Sequence, residues 1–449
     1  MRMAGLDGNG VMTDRNSRTT RRRFLGTTAA LSALAFAGCA SNDDGAGGSD
    51  DTATPTESMT DTPAETDTPA EMETETETEM AAPDVPVVNY ALTLEHLEHA
   101  FYRDGLAEFG GDELMGADVL SDFGQQIRME VPEYLDTLRA HEAAHVDALS
   151  ATVEELGGTP VGEGEYDFGY ETPTEFLGVA KALENTGVAA YAGAAPQVVD
   201  NDILAAAAGI HSVEARHASF LNLVNGDLPY PAGVDEAKSI DEVLEIAGQF
   251  VTSEIDPAVY ETSDDRPAPD RTADDGISDV DVLNYALTLE HLENAFYRDG
   301  LAGFAEDELM NADALSPFDE SVRRMVPDHL ATAGAHEAAH VDALSATVEE
   351  LGGTPVEEAE YDFGYETPSE FLGVAKALEN TGVAAYKGAA PSVSNDEVFS
   401  AALGIHSVEA RHAALLNELN ASSPFPAGVD EPKSMAEVRE VAGQFIVSG

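Results

Sequence analysis

The stretch His141-Glu142-Ala143-Ala144-His145-Val146-Asp147-Ala148-Leu149 contains a Glu-x-x-His step, and Glu214-Ala215-Arg216-His217 contains a second. Residues three apart on a helix share a face about one turn apart, so each step aims a carboxylate and an imidazole the same way. Leu135, Leu138, Ala144, Ala148 and Leu149 recur at helical spacing around the first step. Gly157-Gly158 and Pro160 end that segment, and Thr172-Pro173-Thr174-Glu175 opens the next with a capping hydroxyl and a proline in the first turn. Working outward, the predicted long helices are 87–109, 132–156, 173–194 and 202–223, with a shorter one at 240–251. No alternating run is long enough for a sheet. Trp is absent and aromatics make up 7% of the chain, so the cores are largely Ala, Leu and Val, which suits close-packed helices.

Two further acids stand alone in apolar surroundings, Glu95 on the first helix and Glu184 on the third. A buried carboxylate without a partner is costly. Packing the four helices together supplies the partner: four carboxylates neutralise two divalent cations, and His145 and His217 add donors suited to iron or manganese. The predicted ligand set is therefore Glu95, Glu142, His145, Glu184, Glu214 and His217. Glu98, three residues further on the same face, can replace or supplement Glu95. Tyr102 and Tyr191 each lie seven residues after an isolated glutamate and can orient the carboxylates, although an ordinary core tyrosine reads equally well. His141 and His211 sit near the ligands on their helices and can serve as a base beside them or as an extra ligand, although the plainer reading is a helix-surface histidine. His96, next to Glu95 in sequence, points elsewhere.

The whole arrangement occurs twice. Asn89-Tyr90-Ala91-Leu92-Thr93-Leu94-Glu95-His96-Leu97-Glu98 returns with one spacing as Asn284-Tyr285-Ala286-Leu287-Thr288-Leu289-Glu290-His291-Leu292-Glu293, and His141 to Val161 returns unchanged as His336 to Val356. Identity is roughly 70% over about 165 positions, which marks a duplicated domain and not a solenoid of short units. The second copy carries Glu290, Glu337, His340, Glu379, Glu409 and His412, with Tyr297 and Tyr386 at the tyrosine positions. Expected domains are 85–258 and 279–449, joined by an Asp/Pro/Thr-rich linker at 259–278.

One Glu from each of two helices and Glu-x-x-His from each of two others is the ligand pattern of ferritin-like di-iron and di-manganese bundles. Leu94-Glu95-His96-Leu97-Glu98 with Phe101-Tyr102, Gly193-Ala194-Ala195-Pro196, and Val213-Glu214-Ala215-Arg216-His217-Ala218 resemble the ferritin-like domain family that includes desiccation-related proteins. The resemblance spans about three quarters of the chain. It implies an all-α protein of two tandem four-helix bundles, each with a short extra C-terminal helix and two iron or manganese ions. Some members are relatives of manganese catalases, which implies possible chemistry with oxygen or peroxide. A non-catalytic role in metal sequestration or in protection during drying uses the same ligands. His141-Glu142-Ala143-Ala144-His145 also matches the zinc-protease pattern, but that reading leaves Glu184 and the second Glu-x-x-His unexplained.

The N-terminal segment reads as an address. Thr20-Arg21-Arg22-Arg23-Phe24-Leu25 resembles a twin-arginine export signal, and Phe36-Ala37-Gly38-Cys39 resembles a lipobox, in which Cys39 receives the lipid. Residues 1–39 are the expected signal, and 40–84 an acidic Thr/Pro/Glu-rich tether with no apolar period to bury. Cys39 is the only cysteine, so no internal disulfide forms. The net charge of −63 repels nucleic acid, and residues 89–449 alone hold 16 basic and 69 acidic residues. That surface fits high salt, and stability is expected to rise steeply toward molar salt, on the order of the concentration at which screening is complete. Pairing of the two bundles within the chain, or a homo-oligomer, is also expected.

Overall fold

The computed structural model of the protein describes residues 82–253, 260 and 276–448. The expected export signal, Cys39 and most of the expected tether and linker lie outside these residues.

The first repeat runs α1 (Val85–Glu108), α2 (Gly111–Met115), α3 (Gln125–Glu155), α4 (Pro173–Ala194), α5 (Asn201–Val224) and α6 (Ile240–Ala247). The second follows the same order with α7 (Asp279–Gly303), α8 (Glu306–Met310), α9 (Glu320–Glu350), α10 (Pro368–Ala389), α11 (Asp396–Leu419) and α12 (Met435–Ala442). Sheet among the described residues is confined to β1 (Glu360–Tyr361), antiparallel to β2 (Ile446–Ser448), and its first-repeat counterpart is a single bridge, Tyr166 to Val251. The all-α, two-bundle expectation holds.

The helix starts follow local chemistry. Thr172 accepts from the Glu175 amide, Asp200 from Asp202 and Ile203, and Ser239 forms a capping box with Glu242. Asp84 ties α1 to the segment before α5 by accepting from the Val199 and Asp200 amides at 2.8 and 2.9 Å. Helix α3 starts at Gln125, earlier than expected, because Pro132 is accommodated inside the helix instead of opening it. Its other end closes on Gly157, φ +74°, where Gly158 donates to Val153 O at 2.9 Å.

Helices α1 and α3 pack as one pair, α4 and α5 as the other, and the second repeat does the same. Phe101 stacks on Phe176 with ring centroids 4.7 Å apart, joining α1 to α4. Gly105 makes that approach possible, since a Cβ there would lie 2.1 Å from Phe176 Cε2. The repeats themselves pack through α5 and α11. Ala215, Ala218 and Val188 meet Ala410, Ala413 and Val383, all buried. Small side chains let these helices come close enough for Ser219 Oγ to donate to Arg411 O at 2.9 Å. No helix of the described residues is long and apolar enough to cross a membrane.

Candidate metal centre

Bundle geometry brings every expected ligand of one repeat to one place. Glu95 comes from α1, Glu142 and His145 from α3, Glu184 from α4, and Glu214 and His217 from α5. All six are 0–1% exposed, as are Glu290, Glu337, His340, Glu379, Glu409 and His412 in the second repeat.

Each centre divides into two overlapping halves. Glu95, Glu142, His145 and Glu214 place one ligand atom each within 4.8 Å of the others, and so do Glu142, Glu184, Glu214 and His217. His145 Nδ1 lies 3.2 Å from Glu95, 3.0 Å from Glu142 Oε2 and 3.3 Å from Glu214 Oε1. His217 Nδ1 lies 3.2 Å from Glu142 Oε1, 3.3 Å from Glu184 and 3.6 Å from Glu214 Oε2. Glu142 and Glu214 thus present one oxygen to each half and can bridge, while Glu95 and Glu184 each belong to one half. The second repeat reproduces both halves with Glu337 and Glu409 as the shared pair.

The donor chemistry fits two cations. Glu95 Oε1, Glu142 Oε1, Glu184 Oε2 and both oxygens of Glu214 are buried and receive no hydrogen bond, and Glu337 Oε1 and both oxygens of Glu409 match them. Burial pushes Glu95 and Glu214 well above the usual carboxylate range, and the charge on Glu142 pushes both further. Burial would raise Glu142 too, but His145 and His217 on either side outweigh it and hold this carboxyl well below its ordinary range. Burial lowers His217, yet Glu184 and Glu142 lift it to about 9. In the second repeat burial raises Glu290 to about 7, and Glu379 and Glu337 overcome burial to lift His412 to about 10. Carboxyls that burial and mutual charge raise in this way are the groups that a bound cation would neutralise.

The tyrosines act across the bundle. Tyr102 donates to Glu184 Oε1 at 2.5 Å and Tyr297 to Glu379, so each orients a carboxylate on the facing helix and not the glutamate of its own helix. Tyr386 donates to Glu290, whereas the Tyr191 hydroxyl has no hydrogen-bond partner. Glu98 and Glu293 are also buried, and a Cβ on Gly382 would lie 3.3 Å from Glu293 Oε1 and 2.8 Å from Glu409 Oε2, so Glu293 reaches the centre beside the expected set. Burial raises Glu293, with Glu409 and Glu379 adding to it. His96 points away, its Nε2 donating to Val161 O at 3.0 Å.

His141 and His211 are not surface residues. His141 is half-buried, with Nδ1 3.0 Å from His217 Nε2, and His211 is fully buried with its ring centroid 5.8 Å from that of His406. The second repeat covers the helix face on which these rings would otherwise meet water.

Sequence reasoning missed the contacts made between repeats. Gly428 O accepts from His145 Nε2 at 2.7 Å and Gly233 O from His340 Nε2 at 2.6 Å. Arg216, beside His217, is 1% exposed and pairs with Asp430 at 2.7 Å, as Arg411 does with Asp235. The available signal was the duplicated Pro-aromatic-Pro-Ala-Gly-Val-Asp-Glu, from Pro229 to Glu236 and from Pro424 to Glu431.

No curated protein matches the chain. The ferritin-like domain family model matches residues 83–227 and again residues 278–422, covering both bundles and both ligand clusters. The chain belongs to the ferritin-like domain family, through two tandem copies of that domain.

Proposed function

We propose that each repeat holds a dinuclear iron or manganese centre that reacts with oxygen or peroxide. The observation that carries this is the pair of overlapping carboxylate–histidine halves in each repeat, with inward-facing oxygens that receive no hydrogen bond. When bound, the metal pair supplies electrons or Lewis acidity to a small oxidant. The chain's part is to orient and exclude. Glu142 and Glu214 span both halves, Tyr102 fixes Glu184 by donating to it, and complete burial restricts access to molecules of oxygen or peroxide size. The same burial weighs against peptide hydrolysis, because Glu142 and His145 face the bundle interior and not a cleft.

Metal analysis of protein loaded with ferrous iron or manganese tests the site, with about two ions per repeat expected. Fewer than one per repeat would remove it. Multi-turnover oxygen or peroxide consumption tests the chemistry, and full loading without turnover would move the function to metal sequestration or protection.

Export and lipid anchoring belong to the same proposal and rest on Arg21, Arg22 and Cys39. Arg21→Lys with Arg22→Lys should hold the protein in the cytoplasm, and Cys39→Ser should release it or leave it unprocessed. Membrane fractionation of both variants would overturn the anchor.

A further inference from the structure

All six ligands of a centre come from one repeat, but the surroundings that orient them do not. The segment after α11, from Pro424 to Asp430, lies over the first centre, and the segment after α5, from Pro229 to Asp235, lies over the second. Within the first centre, His145 turns Nδ1 toward the carboxylates and Nε2 toward Gly428 O. A carbonyl can only accept, so Nε2 carries the proton and Nδ1 is the nitrogen free to ligate. Phe425 stands edge-on to His217 with centroids 5.1 Å apart, and Tyr230 does the same to His412 at 4.5 Å. Each segment is held down by an aspartate on a buried arginine of the opposite repeat and by a backbone bond, Asp430 N to Gly209 O at 2.9 Å or Asp235 N to Gly404 O at 3.1 Å.

We propose that each metal centre is completed by the opposite repeat: the Gly428 carbonyl and Phe425 position the ligands of the first centre, and the Gly233 carbonyl and Tyr230 those of the second. Duplication then has a chemical purpose, because one copy holds the ligands but lacks the group that sets the tautomer and orientation of its α3 histidine. The segment that completes the second centre continues directly from α5, the helix that supplies Glu214 and His217 to the first.

This rests on reading the clusters as metal centres, and the test separates the two ideas. In the full chain, Glu379→Ala disables the second centre and leaves the first to be titrated with Mn(II) by calorimetry. Adding Asp430→Asn, a change in the second repeat, should weaken binding at the first centre about tenfold or more. Adding Asp235→Asn instead should change it by less than about twofold. In a Glu184→Ala background the pattern should reverse. Should Asp430→Asn fold poorly, Phe425→Leu in the same background keeps the site apolar while removing the ring edge from His217, and should weaken the same centre. Nitrogen-edited spectra of the metal-free chain add a readout of orientation: a slowly exchanging His145 Nε2–H should be present in the parent and lost in Asp430→Asn. Failure of the parent chain to bind Mn(II) would sink the metal reading itself. Binding by the parent and the single-centre chains, with each aspartate affecting only the centre of its own repeat or neither centre, would overturn completion by the opposite repeat.

Discussion

Replacing Glu214 by glutamine should stabilise the metal-free protein and abolish its stabilisation by metal at the first centre. Glu214 is fully buried and neither of its oxygens receives a hydrogen bond. Glu142, Glu184 and Glu95 surround it, and burial together with their charge pushes its carboxyl well above the usual range. A buried polar group left unsatisfied costs about 1–3 kcal/mol. Glutamine has the same shape, carries no charge and can donate to a neighbouring oxygen such as Glu142 Oε1, so most of that cost should be recovered. At roughly 2–4 °C per kcal/mol, the melting temperature in chelator should rise by about 2–10 °C. Metal reverses the ranking. At a free metal concentration 100 times Kd the parent gains about 2.7 kcal/mol per binding event. The variant keeps only Glu142 as a carboxylate shared by the two halves, one negative charge short of neutralising two cations, and should gain nothing from this centre. Thermal melts of both proteins in EDTA and in Mn(II) read the two signs directly. A variant that melts below the parent in EDTA, or that gains the same increment from Mn(II), would refute the reasoning. Glu409→Gln should behave identically for the second centre.

Glu184→Ala should lower metal content from about four to about two ions per chain by elemental analysis, because the six ligands of the second centre all lie in the second repeat. Glu418, 3% exposed, accepts from Tyr134 at 2.9 Å, and burial followed by the nearby Glu130 lifts its carboxyl to about 8 from an ordinary 4.5. A folded-state pKa above the unfolded one means that the stability it carries is complete below about pH 4 and is lost as pH rises through 8, so urea melts should show Glu418→Gln removing roughly 1–3 kcal/mol of the loss between pH 6 and 9. Gly105→Ala should destabilise by about 1–3 kcal/mol, since its Cβ would meet Phe176 at 2.1 Å, whereas Gly178→Ala, in helix α4 with nothing within 4 Å, should stabilise by roughly 0.5–1 kcal/mol; chemical denaturation of both checks the contrast.

The four-helix plan and the twelve clustered residues were legible because their signals are local. Helical periodicity, Gly157-Gly158 and the Thr172-Pro173 start depend on neighbours in the chain, and Glu-x-x-His places two ligands on one face whatever surrounds it. Glu95 and Glu184 stood out because a lone acid among apolar residues needs a partner. Duplication then doubled each of these signals. Tertiary structure decided what depends on distance across the chain. Tyr102 orients Glu184, 82 positions away, and not the glutamate on its own helix. His211 is covered because α5 and α11 pack through alanines, and His141 because Phe425 and Gly428 of the other repeat lie against it, contacts that no periodicity within one helix encodes. Gly428, 283 positions from His145, contributes only a backbone carbonyl, which every residue possesses, and so nothing in its side chain could announce the role.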